Sequence, residues 1–117
     1  MELREFYAAV GGDLEEVKGR LAKEERIYKY LGKFVDSTDY DELISSLQSE
    51  NYEEAFRHIH NLKGVSANLG LGELFQASHV LTEELRPGVK PDKDISEMLA
   101  EVGNKLEEAK KAIVQLG

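Results

Sequence analysis

Apolar residues recur along this chain at spacings of three and four, and polar or glycine-rich gaps cut that rhythm into segments. Leu3, Phe6, Tyr7 and Val10 form a first short amphipathic stripe. Gly11-Gly12 interrupts it, and Asp13 with Glu16 three residues on reads as a new N-cap with a capping-box partner. Leu14, Val17 and Leu21 continue the spacing, so one bent helix is the alternative to a break at the glycines; the break is preferred. Ile27, Tyr30, Leu31, Phe34 and Val35 fall at i, i+3, i+4, i+7 and i+8, the pattern of one buried helix face. Asp36-Ser37-Thr38-Asp39 then supplies caps for a shorter helix carrying Leu43, Ile44 and Leu47.

Ser49-Glu50-Asn51 is the next turn, with Asn51 and Glu54 as a second capping pair. A long helix is predicted from about Tyr52 to Leu69, closed by Gly70 as a C′ glycine. Leu74, Ala77, Ser78, Leu81 and Leu85 build the helix after it. Arg86-Pro87-Gly88-Val89-Lys90-Pro91 holds both prolines and is the strongest breaker in the chain. The last helix is predicted from roughly Asp92 to Leu116, with a seam of Ile95, Leu99, Val102, Leu106, Ala109, Ile113 and Leu116. That seam would suit a coiled-coil dimer or one wall of an intramolecular bundle, and the wall is preferred. Short connections between long amphipathic helices imply antiparallel neighbours. The expected fold is all-α: an antiparallel up-down four-helix bundle with short additional N-terminal helices, in a single domain spanning 1–117.

Composition narrows the chemistry. There is no cysteine, which removes disulfides, thiolate zinc sites and cysteine nucleophiles. A net charge of −8 argues against nucleic acid or an anionic membrane as the main partner. No apolar run reaches spanning length and Met1-Glu2-Leu3-Arg4-Glu5 lacks a signal-peptide profile, so a cytoplasmic protein is expected.

One stretch departs from this acidic background. The chain holds 23 acids, yet none falls between Ala55 and Gly72. At 100° per residue, His60, Lys63 and Gly64 share one helical face and Ala67 extends it, while Leu62, Val65, Ser66 and Leu69 point the other way. A nucleophile, a cation and two very small side chains on one strip suit chemistry on a phosphoryl group. Neutral imidazole is a competent nucleophile near pH 7. Lys63 can neutralise phosphoryl oxygens as a point charge, and Gly64 leaves the surface beside the ring open. His58 projects about 200° away from His60 and reads as structural. Side chains at i and i+2 do not face each other, so this histidine pair cannot chelate one metal. His79 reads as peripheral. The sequence contains no Walker loop, no kinase glycine-rich loop and no metal cage, and no metal ligands or resident cofactor are assigned.

The string His60-Asn61-Leu62-Lys63-Gly64, followed by Ser66-Ala67-Asn68-Leu69-Gly70, resembles the histidine-containing phosphotransfer (HPt) domain of two-component phosphorelays. The match is dense from Asn51 to Arg86, compatible from Asp13 to Glu50, and only helical after Asp92. The resemblance implies that His60 is the phosphoacceptor, Lys63 stabilises phosphoryl charge and Gly64 permits close approach. It implies response regulator receiver domains and a hybrid sensor histidine kinase as partners, with Mg²⁺ on the receiver. The docking surface would centre on His60, Lys63, Gly64 and Ala67, with Phe56 at its edge. Where some members carry a glutamine that orients the imidazole, the ungapped match puts Thr82. Arg86 could add positive potential or cap its own helix, and the cap is preferred. Such a chain would be a monomeric phosphate carrier with no autonomous kinase activity. The competing expectation is a helical adaptor that binds a receiver or kinase without transferring phosphate.

Overall fold

The described residues of the computed structural model form seven helices: α1 Leu3–Val10, α2 Leu14–Leu21, α3 Glu24–Phe34, α4 Asp39–Gln48, α5 Tyr52–Leu69, α6 Gly72–Leu85 and α7 Ser96–Val114. The structure describes residues 1–116; Gly117, the last residue of the expected domain, lies outside them. Every regular element among the described residues is helical, as the spacing predicts.

The core draws one face from each helix. Phe6, Val17, Ile27, Leu31, Leu43, Ile59, Leu62, Leu81 and Val102 are completely buried. α5 packs between α4 and α6, and α6 in turn packs on α7. Tyr40 of α4 donates its hydroxyl to the Leu99 carbonyl of α7 at 3.2 Å, joining the first and last helices of this set. The α7 seam at Val102, Leu106, Ala109 and Ile113 is buried inside the chain, which is the use that the intramolecular reading expects of it.

Several boundaries differ from expectation for local reasons. α7 begins at Ser96 rather than near Asp92, because the Asp94 carboxylate accepts hydrogen bonds from both the backbone and hydroxyl of Ser96. It ends at Val114, with Leu116 beyond it but still packed on the core. Ala22 turns the chain between α2 and α3 at φ 66°, a break that carries no glycine or proline signal. Asp13 caps α2 through the Glu15 amide at 2.9 Å, while Glu16 pairs with Arg20 in place of the expected box. Tyr30 is 39% exposed although Ile27, Leu31 and Phe34 of its stripe are buried; a tyrosine at the stripe's edge keeps its polar tip in water.

α1 and α2 fasten the C-terminal end of α5. Gly70 adopts φ 73° and the Leu71 amide donates back to Ser66 O at 2.9 Å, a Schellman closure. Gly12 packs so closely on this turn that a Cβ there would overlap the Gly70 carbonyl. The orphan carbonyls are then taken up from across the fold. Arg20 donates to Ala67 O and Asn68 O at 3.0–3.2 Å, and Tyr7 donates to Leu69 O at 2.9 Å.

Burial pushes the Tyr7 phenol up to about 12, with nearby Arg20 opposing weakly. In the unfolded chain Tyr7 ionises near 10, so between those values the folded state holds more protons and stability falls as pH rises. Tyr7 should account for a loss of about 2–3 kcal/mol across that window. Denaturant titrations at pH 9 to 12 should show a steeper decline for the parent chain than for Tyr7→Phe.

Candidate phosphotransfer site

α5 is exposed along one strip and buried along the opposite one. Ala55, Ile59, Leu62, Ser66 and Leu69 face the core, while His60, Gly64 and Ala67 are exposed and Lys63 is half-buried. The helix is capped at both ends, with the Asn51 side chain accepting from the Glu54 amide at 3.2 Å. His60 therefore sits mid-helix on a fixed scaffold. A Cβ added at Gly64 would meet nothing within 4 Å, so that position is open space beside the imidazole.

Phe56 does more than border the site. Its ring stacks on His60 with centroids 5.4 Å apart and planes 24° from parallel. The Arg86 guanidinium lies 5.3 Å from the Phe56 centroid. Glu83 holds that guanidinium through hydrogen bonds to Nη2 and Nε at 2.5 and 3.1 Å. Arg86 thus does not cap the carbonyls of its own helix with its side chain; it brings a cation to the edge of the site. The hydrogen bond from Arg86 also keeps the Glu83 carboxyl below the usual carboxylate range, with lesser contributions from His79 and Lys63.

Thr82 is not brought to the imidazole by any hydrogen bond among the described residues. It is fully buried, and its hydroxyl donates to Ser78 O of its own helix at 2.6 Å. A short β-branched side chain satisfies itself one turn back where a glutamine would reach across. The aromatic contact to His60 comes from α5 itself.

On the other side of His60 and Gly64 a groove of about 580 Å³ runs between α3 and α5, with Tyr30, Phe34 and Lys33 along its α3 wall and Val65 and Asn68 on α5. Val65 lines this groove and is only half-buried. Tyr30 carries Lys29 and Lys33 at 6.0 and 5.9 Å from its ring centroid. Sequence reasoning did not assign Tyr30, Lys33 or Arg20 to this region, and for Arg86 it preferred a helix cap over a contribution of positive potential. Their placement depends on pairings across as many as 48 residues, and only the gap in acids from Ala55 to Gly72 hinted at it. Cations thus gather around one strip of a chain whose net charge is −8.

The other histidines are differently placed. His58 is 21% exposed and surrounded by carboxylates: Asp39 and Glu42 at 3.7 and 3.5 Å from Nδ1, Glu54 at 3.7 Å from Nε2. His79 stacks on Phe75 at 6.1 Å, and its Nδ1 is buried without a hydrogen-bond partner.

Comparison with known families agrees with this geometry. The Hpt domain model matches residues 29–113, most of the chain, from within α3 to the last turn of α7. The chain belongs to the Hpt domain family, which places it in two-component phosphorelays and makes response regulator receiver domains its interaction partners. No curated protein and no solved structure matches it. Among the described residues no helix is long and apolar enough to cross a membrane.

Proposed function

We propose that this chain is a phosphorelay intermediate that accepts a phosphoryl group on His60 from a receiver aspartyl phosphate and passes it to the aspartate of another receiver. The observation that carries this reading is the exposed mid-helix imidazole with a cation one turn away and open space at Gly64. A non-transferring adaptor would not require these three features together. In the acceptor step the lone pair of a His60 ring nitrogen forms the N–P bond as the acyl-phosphate O–P bond breaks. The aspartate leaves as a carboxylate, and the other ring nitrogen keeps its proton. Phe56 restrains the ring plane, and Lys63 offers charge to the phosphoryl oxygens. Mg²⁺ bound to the receiver supplies the larger neutralisation, and the carrier needs no cofactor or kinase activity of its own. We read α4–α7 as an antiparallel up-down four-helix bundle acting as a rigid monomeric post in the cytoplasm, loaded by the receiver of a hybrid sensor kinase.

Incubation with a phosphorylated receiver tests the proposal: the chain should acquire label that is acid-labile and alkali-stable. Failure of any phosphorylated receiver to label it would favour the adaptor. Lys63→Ala should slow transfer about fivefold or less without abolishing it, since a cation still in contact with solvent contributes about 1 kcal/mol at most. Rapid-quench rates with one receiver are the measurement.

A further inference from the structure

Asp39, Glu42 and His58 are separated in sequence but converge where α4 begins, beside the middle of α5. His58 Nδ1 lies 3.7 Å from Asp39 Oδ1 and 3.5 Å from Glu42 Oε2, and the three donor atoms are all within 4.8 Å of one another. Direct hydrogen bonds would be shorter, about 2.7–3.2 Å. The histidine–carboxylate separations are close to the edge of a coordination tetrahedron, roughly 3.3–3.4 Å for metal–ligand bonds of about 2.0–2.1 Å. We propose that Asp39, Glu42 and His58 form a three-ligand site for a divalent transition metal of the Zn²⁺ class, with a fourth position left to water.

The groups behind these ligands are arranged as such a site requires. A ligating histidine commonly presents its other N–H to a carboxylate, which fixes the tautomer. Glu54 Oε2 stands 3.7 Å from His58 Nε2, beyond hydrogen-bond distance here but near enough for a small side-chain rotation to close, and its other oxygen is anchored by Arg57 at 2.7 Å. A proton kept on Nε2 leaves the Nδ1 lone pair facing Asp39 and Glu42. Asp39 is oriented too: its Oδ2 accepts from Asn61 Nδ2 at 2.7 Å, leaving Oδ1 for the metal. His58 and Asp39 are mostly buried, while Glu42 is 54% exposed and free to swing the remaining distance.

Ligand chemistry selects the ion. An imidazole with two carboxylates suits Zn²⁺, Co²⁺ or Ni²⁺, whereas Mg²⁺ and Ca²⁺ prefer all-oxygen shells. The metal would bind the start of α4 to α5 through His58 and, by way of Asp39 and Asn61, next to His60. It takes no part in phosphoryl transfer, and the proposal stands whether or not His60 carries phosphate.

Calorimetric titration of the chelator-stripped full chain with Zn²⁺ should show a single site per chain, not displaced by a large excess of Mg²⁺. Co²⁺ should give the intense visible absorption of a tetrahedral centre and broaden the amide resonances of Asp39, Glu42 and His58 in the unmodified chain. His58→Gln and Asp39→Asn should each weaken Zn²⁺ binding more than about tenfold, and Glu54→Gln about tenfold, as loss of an outer partner does. His60→Gln and His79→Gln should bind as the parent does. Should His58→Gln lose helicity, the Co²⁺ broadening pattern in the parent decides the location by itself. Three results would each overturn the site: Zn²⁺ binding no tighter than in a folded His58→Gln, broadening centred on His60 or His79, or displacement by Mg²⁺ at comparable concentration.

Discussion

His60→Gln will abolish labelling of this chain by a phosphorylated receiver, whereas His58→Ala and His79→Ala will retain it. Glutamine keeps the helix and a polar tip but offers no imidazole nitrogen, so the N–P bond cannot form. The three histidines differ in their surroundings more than in their chemistry. His60 is exposed, has Lys63 at i+3 and has open space at Gly64. His58 is ringed by Asp39, Glu42 and Glu54 at 3.5–3.7 Å, whose charges repel an incoming phosphoryl group. From His79 the residue at i+4 is Glu83, and the ring's Nδ1 is buried. Mass mapping of the phosphorylated chain is the measurement, and phosphate on His58 or His79 with His60 unmodified would refute the assignment.

Gly64→Gln will lower transfer from a receiver about a hundredfold, the scale of effect produced by a misplacement of about 1 Å at a reacting centre. The chain itself has room for the new side chain, because a Cβ at Gly64 meets nothing within 4 Å. Folding should improve by about 0.5–1 kcal/mol, since glutamine is a better helix former than glycine. The loss must then arise where a partner approaches. A small phosphoramidate donor needs no such docking, so it should label Gly64→Gln at close to the parent rate. Comparing the two donors separates close approach from damage to the imidazole; equal rates from the receiver in parent and variant would show that nothing passes close to Gly64.

Helical segments and the mid-helix strip were readable from local spacing, and the family from the resemblance of the string His60 to Gly70. Periods of three and four report which face of a helix is buried, and His60, Lys63, Gly64 and Ala67 lie within two turns of one helix, so their common face follows from helical geometry. The Asn51 cap and the Gly70 closure were legible for the same reason, because caps act on the nearest amides and carbonyls. Ala22 was not, since its positive φ of 66° leaves no glycine as a trace.

What remained hidden was contact between distant residues. The family resemblance placed Thr82 where it could orient the imidazole, but a threonine hydroxyl is captured by its own helix at Ser78 O. Helix geometry put His58 off the reactive strip without indicating that Asp39, Glu42 and Glu54 would enclose it. Arg86 reached Phe56, and Tyr7 and Arg20 reached the last carbonyls of α5, only once the helices had packed. The sequence by itself therefore determined the helices, the reactive strip and its likeness to a family, because each rests on residues a turn or two apart. Tertiary structure alone decided what surrounds each histidine, because long side chains choose partners by proximity in the packed fold and not by distance along the chain.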